Sequence, residues 1–92
     1  MLVVEWDPRK AAENLKKHRI DFHEAATVLE DSLSVTYPDP DHSLAERRHL
    51  TIGESVTGRI LVVSHADGRE AVRIISARPA TKRERRVYEE GE

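Results

Sequence analysis

Two apolar runs, RILVVSHA (59–66) and EAVRIISA (70–77), are joined through ADGR (66–69). An Asp-Gly pair between two strand-like runs is a strong hairpin signal. Both runs are too apolar to face water, so the rest of a 92-residue chain must be arranged to cover them. At this length there is room for one core and one domain, which buries roughly 60–65% of the surface of the unfolded chain.

The covering elements are legible upstream. LVVEW reads as a short strand. Asp7-Pro8 starts a helix, with Asp as N-cap and Pro at the first helical position, where its missing N–H costs nothing. This helix runs to Lys17 or His18 and carries Ala11, Ala12 and Leu15 as its buried stripe. In RIDFHEAATVLED, Asp21 and Glu24 have capping-box spacing. Phe22, Ala25, Ala26 and Leu29 fall at i, i+3, i+4 and i+7, one apolar face of a second helix. LSVTY and RRHLTIG alternate as strands around the proline-punctuated loop PDPDHS, and GESVTG is a glycine-closed loop. Thr81 and Glu84 form a capping box, so a last helix begins at Lys82. The expected fold is α+β: an antiparallel sheet, an N-terminal two-helix hairpin packed on it, and a basic C-terminal helix.

Charge is divided unevenly. The formal net charge is −2, yet residues 69–86 hold seven basic side chains against two acids, a local +5 that leaves −7 on the remainder. This pattern suits a polyanion-facing patch on an anionic body; a solvated helix face with internal ion pairs is the plainer alternative. The last helix offers only Val87 and Tyr88 as large apolar groups, so it should lie on the surface. Its N-terminus, with Lys82 and Arg83, attracts phosphate. Arg73 sits among four aliphatic residues, and a partly shielded guanidinium calls for a carboxylate or an anionic ligand. Strict alternation sends Arg78 to the face opposite Arg73, unless the strand ends near Ser76.

Other chemistries find little support. There is no cysteine, hence no disulfide or thiolate metal site. The five histidines show no zinc spacing, and neither a nucleophile elbow nor a P-loop is present, so no metal or cofactor is expected. His18, at a helix end, is a dipole-capping residue or a general acid–base. His23 and His65 read as ordinary surface positions. No run reaches the ~20 apolar residues of a membrane span and MLVVEWDPRK lacks a signal-peptide pattern, so a cytoplasmic protein is expected.

Several stretches together, EWDPRKAAENLKKH, FHEA, HSLAERR, the glycine of TIG and RIISARPATKRERRVYEE, resemble the BrnT ribonuclease toxins of bacterial type II toxin–antitoxin systems. They occur in order over nearly the whole chain. The resemblance implies a fold similar to RelE-type toxins, RNA cleavage that arrests translation, and neutralisation by a ribbon-helix-helix (BrnA-like) antitoxin. It also implies DNA contact mainly through that antitoxin, and a toxin dimer within the complex. Arg19 stands where the family pattern has glycine, and SHADGRE is this chain's own version of a variable hairpin.

In-line attack of a 2′-hydroxyl needs a base, cations for the charge growing on phosphorus and an acid for the leaving oxygen. Arg73 and Arg78 suit the cationic role, and His18, Lys17 or Tyr88 the proton transfers. Arg47, Ser76, Lys82 and Arg85 are candidates for holding RNA, free or ribosome-bound. A non-catalytic module that docks nucleic acid or an acidic partner on the basic helix is the alternative, consistent with the negative net charge.

Overall fold

The computed structural model describes residues 2–40 and 47–91. Its elements follow the order β1 (Val4–Trp6), α1 (Pro8–His18), α2 (Phe22–Val28), β2 (Val35–Pro38), β3 (Arg48–Glu54), β4 (Ile60–Asp67), β5 (Val72–Pro79) and α3 (Lys82–Glu90). The second half of the loop PDPDHS and most of HSLAERR lie outside the described residues. The strands form one sheet in the order β1-β5-β4-β3-β2. All neighbours are antiparallel except β1, which pairs parallel to β5 because the chain returns to that edge only after the helices and the meander.

Caps place the helices where the sequence puts them. The Asp7 carboxylate accepts the Arg9 N–H at 2.9 Å, with Pro8 opening α1. Thr81 and Glu84 exchange both capping-box hydrogen bonds at the start of α3. At α2 the box does not close. Asp21 accepts from the His23 N–H at 2.6 Å, but Glu24 turns away to Arg59, whose guanidinium is a stronger partner for a carboxylate than a backbone amide. Arg19 ends α1 in the left-handed conformation, at φ 60°, with its N–H on the Leu15 carbonyl. A non-glycine residue is strained there by about 1–3 kcal/mol, so Arg19→Gly should stabilise the fold by about 1 kcal/mol net of glycine's unfolded-state entropy. Thermal unfolding should shift upward by about 4–8 °C.

The core joins Ile20, Phe22, Ala25 and Val28 of the helical hairpin to Leu61, Val63, Ile74 and Ala77 of β4 and β5. The helices therefore cover one sheet face, here the helix face. Gly53 of TIG is explained by close approach: a Cβ there would stand 3.0 Å from Val28 Cγ1 and 3.1 Å from Ser34 Cβ.

One expectation for α1 is overturned. Its only buried residue is Asn14, while Ala12 is exposed and Leu15 is 47% exposed. Asn14 takes the inward position because its amide bridges two backbones, accepting from the Ala77 N–H at 3.0 Å and donating to the Ile20 carbonyl at 3.1 Å. A buried amide with both groups satisfied fixes the roll of the helix, so that Ala11 still packs against the core while Ala12 and Leu15 turn outward.

His65 is also misread by the sequence. It is 6% exposed. Its Nε2 lies 2.8 Å from the Thr51 hydroxyl, which meets the Thr36 hydroxyl at 2.7 Å, and its Nδ1 lies 3.2 Å from Asp67. Burial pushes its pKa below the ordinary histidine range. Its register in β4 puts it on the helix face beside Leu61 and Val63, and the pairing with β3 brings the Thr51 hydroxyl to it.

Candidate functional site

The sheet face opposite α1 and α2 gathers the cations, and the device that does so is a bulge. Ser64 pairs with Ser76 and His65 with Ile74, leaving Ile75 as an extra residue in β5. An extra residue resets the alternation of a strand. Arg73, Ser76 and Arg78 therefore share one face, paired with Ala66, Ser64 and Val62 respectively. Strict alternation had separated the two arginines. The strand does not end at Ser76; it continues to Pro79.

Register adds a residue that sequence reasoning missed. Arg48 pairs with Ala66, which pairs with Arg73, so the two arginines occupy one row across three strands. Their backbones are two strand spacings, about 10 Å, apart, a gap that two long guanidinium side chains can close around one phosphate. Arg47 is exposed just before β3, its carbonyl accepting from the Asp67 N–H at 3.2 Å, and alternation assigns its side chain to the opposite face. Two adjacent arginines look alike in a sequence, and only the register separates them.

Arg78 is bound internally. Its two terminal nitrogens each donate to Glu84 at 2.8 Å, a bidentate pair that also ties β5 to the start of α3. This pair holds the Glu84 carboxyl down to about 2. It fixes the Arg78 guanidinium in direction while offsetting its charge.

Lys17 and His18 approach from another side. β1 pairs with β5 only as far as Ile74, so the edge of β5 is open beyond it. There α1 and β5 enclose a shallow depression of about 320 Å³ whose lining includes Asn14, Lys17, His18, Ile75 and Ser76. Ser76 is thus the link between the arginine face and the end of α1.

Tyr88 is not brought to this group. Its hydroxyl donates to Asp31 Oδ2 at 2.6 Å, which pushes its pKa up to about 12. The same carboxylate oxygen accepts from the Glu54 N–H at 2.8 Å. Glu54 is six residues along β3 from Arg48, about 20 Å. Lys82 and Arg85 are exposed on α3, beside the Arg78–Glu84 pair.

The family model for the ribonuclease toxin BrnT of type II toxin–antitoxin systems matches residues 6–84. The chain belongs to the BrnT family. The crystal structure of the Brucella abortus ribonuclease toxin BrnT is similar to it at a TM-score of 0.69 and 28% identity, over 89% of this chain and all of that one. A search among curated proteins gave no match. Membership in the BrnT family makes this chain a ribonuclease toxin of a type II system, and it implies a cognate antitoxin as partner. The matched span includes the whole of β5 and both residues of the Arg78–Glu84 pair. No helix among the described residues is long and apolar enough to cross a membrane.

Proposed function

We propose that this BrnT-family toxin is a metal-independent endoribonuclease that cuts RNA on the arginine face of its sheet and so inhibits translation. The observation that carries the reading is the bulge at Ile75, which aligns Arg73, Ser76 and Arg78 in register with Arg48. A phosphodiester lying on this face receives the guanidinium groups of Arg73 and Arg48 on its non-bridging oxygens. The neighbouring 2′-hydroxyl attacks phosphorus. The bond to the 5′-oxygen breaks as the 2′-oxygen bond forms, leaving a 2′,3′-cyclic phosphate and a 5′-hydroxyl. His18 and Lys17, reached through Ser76 at the open edge of β5, take the proton from the attacking oxygen and return one to the leaving oxygen. The Ser76 hydroxyl orients the phosphate.

Arg78, held by Glu84, supports the developing charge from a fixed direction. Lys82 and Arg85 hold the strand electrostatically. Tyr88 contributes by anchoring α3. Neutralisation by a ribbon-helix-helix antitoxin, with DNA contacted through it and the toxin dimeric within the complex, completes the proposal.

The pairing of Arg48 with Arg73 supplies the test. Arg48→Ala should lower the cleavage rate about 100-fold, the loss typical of one transition-state donor. Arg47→Ala should lower it less than about threefold, as for a peripheral phosphate contact weakened by salt. Rates are measured on total RNA in EDTA, and again with translating ribosomes. An equal loss in both variants, or a larger loss in Arg47→Ala, would overturn this assignment.

A further inference from the structure

The outward roll of α1 leaves a feature that RNA cleavage does not use. Ala12 and Leu15, with Trp6, Ala11 and Phe22, border an open groove of about 150 Å³ between β1 and the helical hairpin. Leu15 is 47% exposed, and Leu2, just before β1, is 38% exposed. A small domain with few apolar residues to spare leaves such a row uncovered when a partner covers it.

β1 beside this groove is an edge strand. The Val3 carbonyl accepts from the Val72 N–H at 2.9 Å, so Val3 directs its backbone toward β5. In a parallel ladder alternate residues do this, which turns the N–H and C=O groups of Val4 and Trp6 away from the sheet. An extended segment laid along β1 would meet these groups and send every second side chain toward the helix face, where the groove lies.

Charge narrows the occupant. Residues 9–19 carry Arg9, Lys10, Lys16, Lys17 and Arg19 against Glu13 alone. Arg9 lies one turn before Ala12, Lys16 one turn after it, and Arg19 one turn after Leu15, so cations flank the apolar stripe. The acid in the groove lining, Asp21, is already engaged by the backbone and ring of His23. A second copy of this chain would set these cations against themselves.

We propose that the groove between β1 and α1, with the free edge of β1, is the anchoring site for an extended acidic segment of the protein antitoxin. This inference rests on membership in a toxin–antitoxin family and names a surface distinct from the arginine face. The segment adds as a sixth strand beside β1, places apolar side chains against Trp6, Ala12 and Leu15, and sets its acids against Arg9, Lys16 and Arg19.

The test uses the intact toxin and its cognate antitoxin. Hydrogen exchange at the amides of Val4 and Trp6 is compared in the free toxin and the complex, and affinity is measured for wild type, Leu15→Glu and Ala12→Glu. Both substitutions are at exposed positions, and thermal unfolding checks that each variant folds. The expected result is strong new protection of both amides and about 30-fold or greater weakening in each variant, as for a central apolar contact replaced by an unpaired charge. RNA cleavage by the free variants should match wild type. Unprotected amides in a tight complex, or unchanged affinity in both variants, would overturn the inference while leaving the toxin reading intact. A change in the toxin's own oligomeric state without a change in antitoxin affinity would assign the groove to toxin self-association and also overturn it. Absence of both RNA cleavage and antitoxin binding in wild type would instead sink the functional reading.

Discussion

Arg73→Ala should abolish RNA cleavage, with a rate at least about 1000-fold below wild type, and leave the unfolding temperature within a few degrees. The expectation has two physical parts. Arg73 and Arg48 flank Ala66 in one row across β5, β4 and β3, and Glu5 of β1 pairs on the other side of Arg73, so removing Arg73 takes away one of the two cations that face a phosphate there. Loss of one such donor costs about 100–1000-fold where the rest of the site persists. Here the shared row means that Arg48 loses its counterpart as well. Stability changes little because the surrounding packing belongs to Ile74 and Ala77 on the other face. Arg73→Lys separates charge from geometry: an ammonium keeps the charge but not the bidentate fork, so activity should return only in part. Full cleavage by a folded Arg73→Ala protein would remove this residue from the site.

Glu24→Gln should give the largest loss of stability among conservative polar changes, about 2–3 kcal/mol at pH 7. The Glu24 carboxylate is the hub of the β3–β4 hairpin, accepting from the Ser55 and Thr57 hydroxyls at 2.6 Å each and from Arg59 Nε at 2.9 Å. Arg59 also donates to the Arg19 carbonyl at 3.2 Å, so one cluster joins α2, the end of α1 and the hairpin turn. The Arg59 guanidinium and the two hydroxyls hold the Glu24 carboxyl down to about 2 against an ordinary 4.5.

Between those values the unfolded chain binds the proton and the folded chain does not. The stabilisation is therefore complete above about pH 4.5 and drains away as pH falls toward 2. Glu84 behaves the same way through Arg78. Denaturant unfolding from pH 7 to pH 2.5 should show wild type losing stability below pH 4.5. Glu24→Gln should start lower and fall less steeply. An acid limb as steep in the variant as in wild type would place the titrating groups elsewhere.

Local chemistry is where the sequence speaks clearly. Asp7-Pro8 and Thr81–Glu84 set the starts of α1 and α3 through groups a few residues apart, and Asp-Gly with its flanking apolar runs set the β4–β5 hairpin. The misreadings arise where a nonlocal partner decides. Leu15 lost the inward position to Asn14, because the Ala77 N–H beyond the end of β1 needed an acceptor. Glu24 left its capping box for Arg59, 35 residues away. His65 was buried by strands that pairing alone brings beside it.

For the candidate site, the sequence offered residue types but not their arrangement. Arg73 stood out as a candidate by its place among aliphatic residues and Ser76 as a possible phosphate contact, but a bulge has no reliable signature in a run such as VRIISARP. Without it Arg78 falls on the wrong face, and without the β3–β4 register Arg48 cannot be told from Arg47. A run of alternating residues flanked by two arginines gives no register until its partner strand is known.

The end groups left on the RNA test the central claim most directly. Fragments produced by wild type in EDTA should carry 2′,3′-cyclic phosphate, or the phosphate it hydrolyses to, at one end and 5′-hydroxyl at the other. That pattern follows from attack by the neighbouring 2′-hydroxyl on a phosphate held by Arg48 and Arg73. Fragments with 5′-phosphate and 3′-hydroxyl ends would contradict it, since they require water or another external nucleophile at phosphorus.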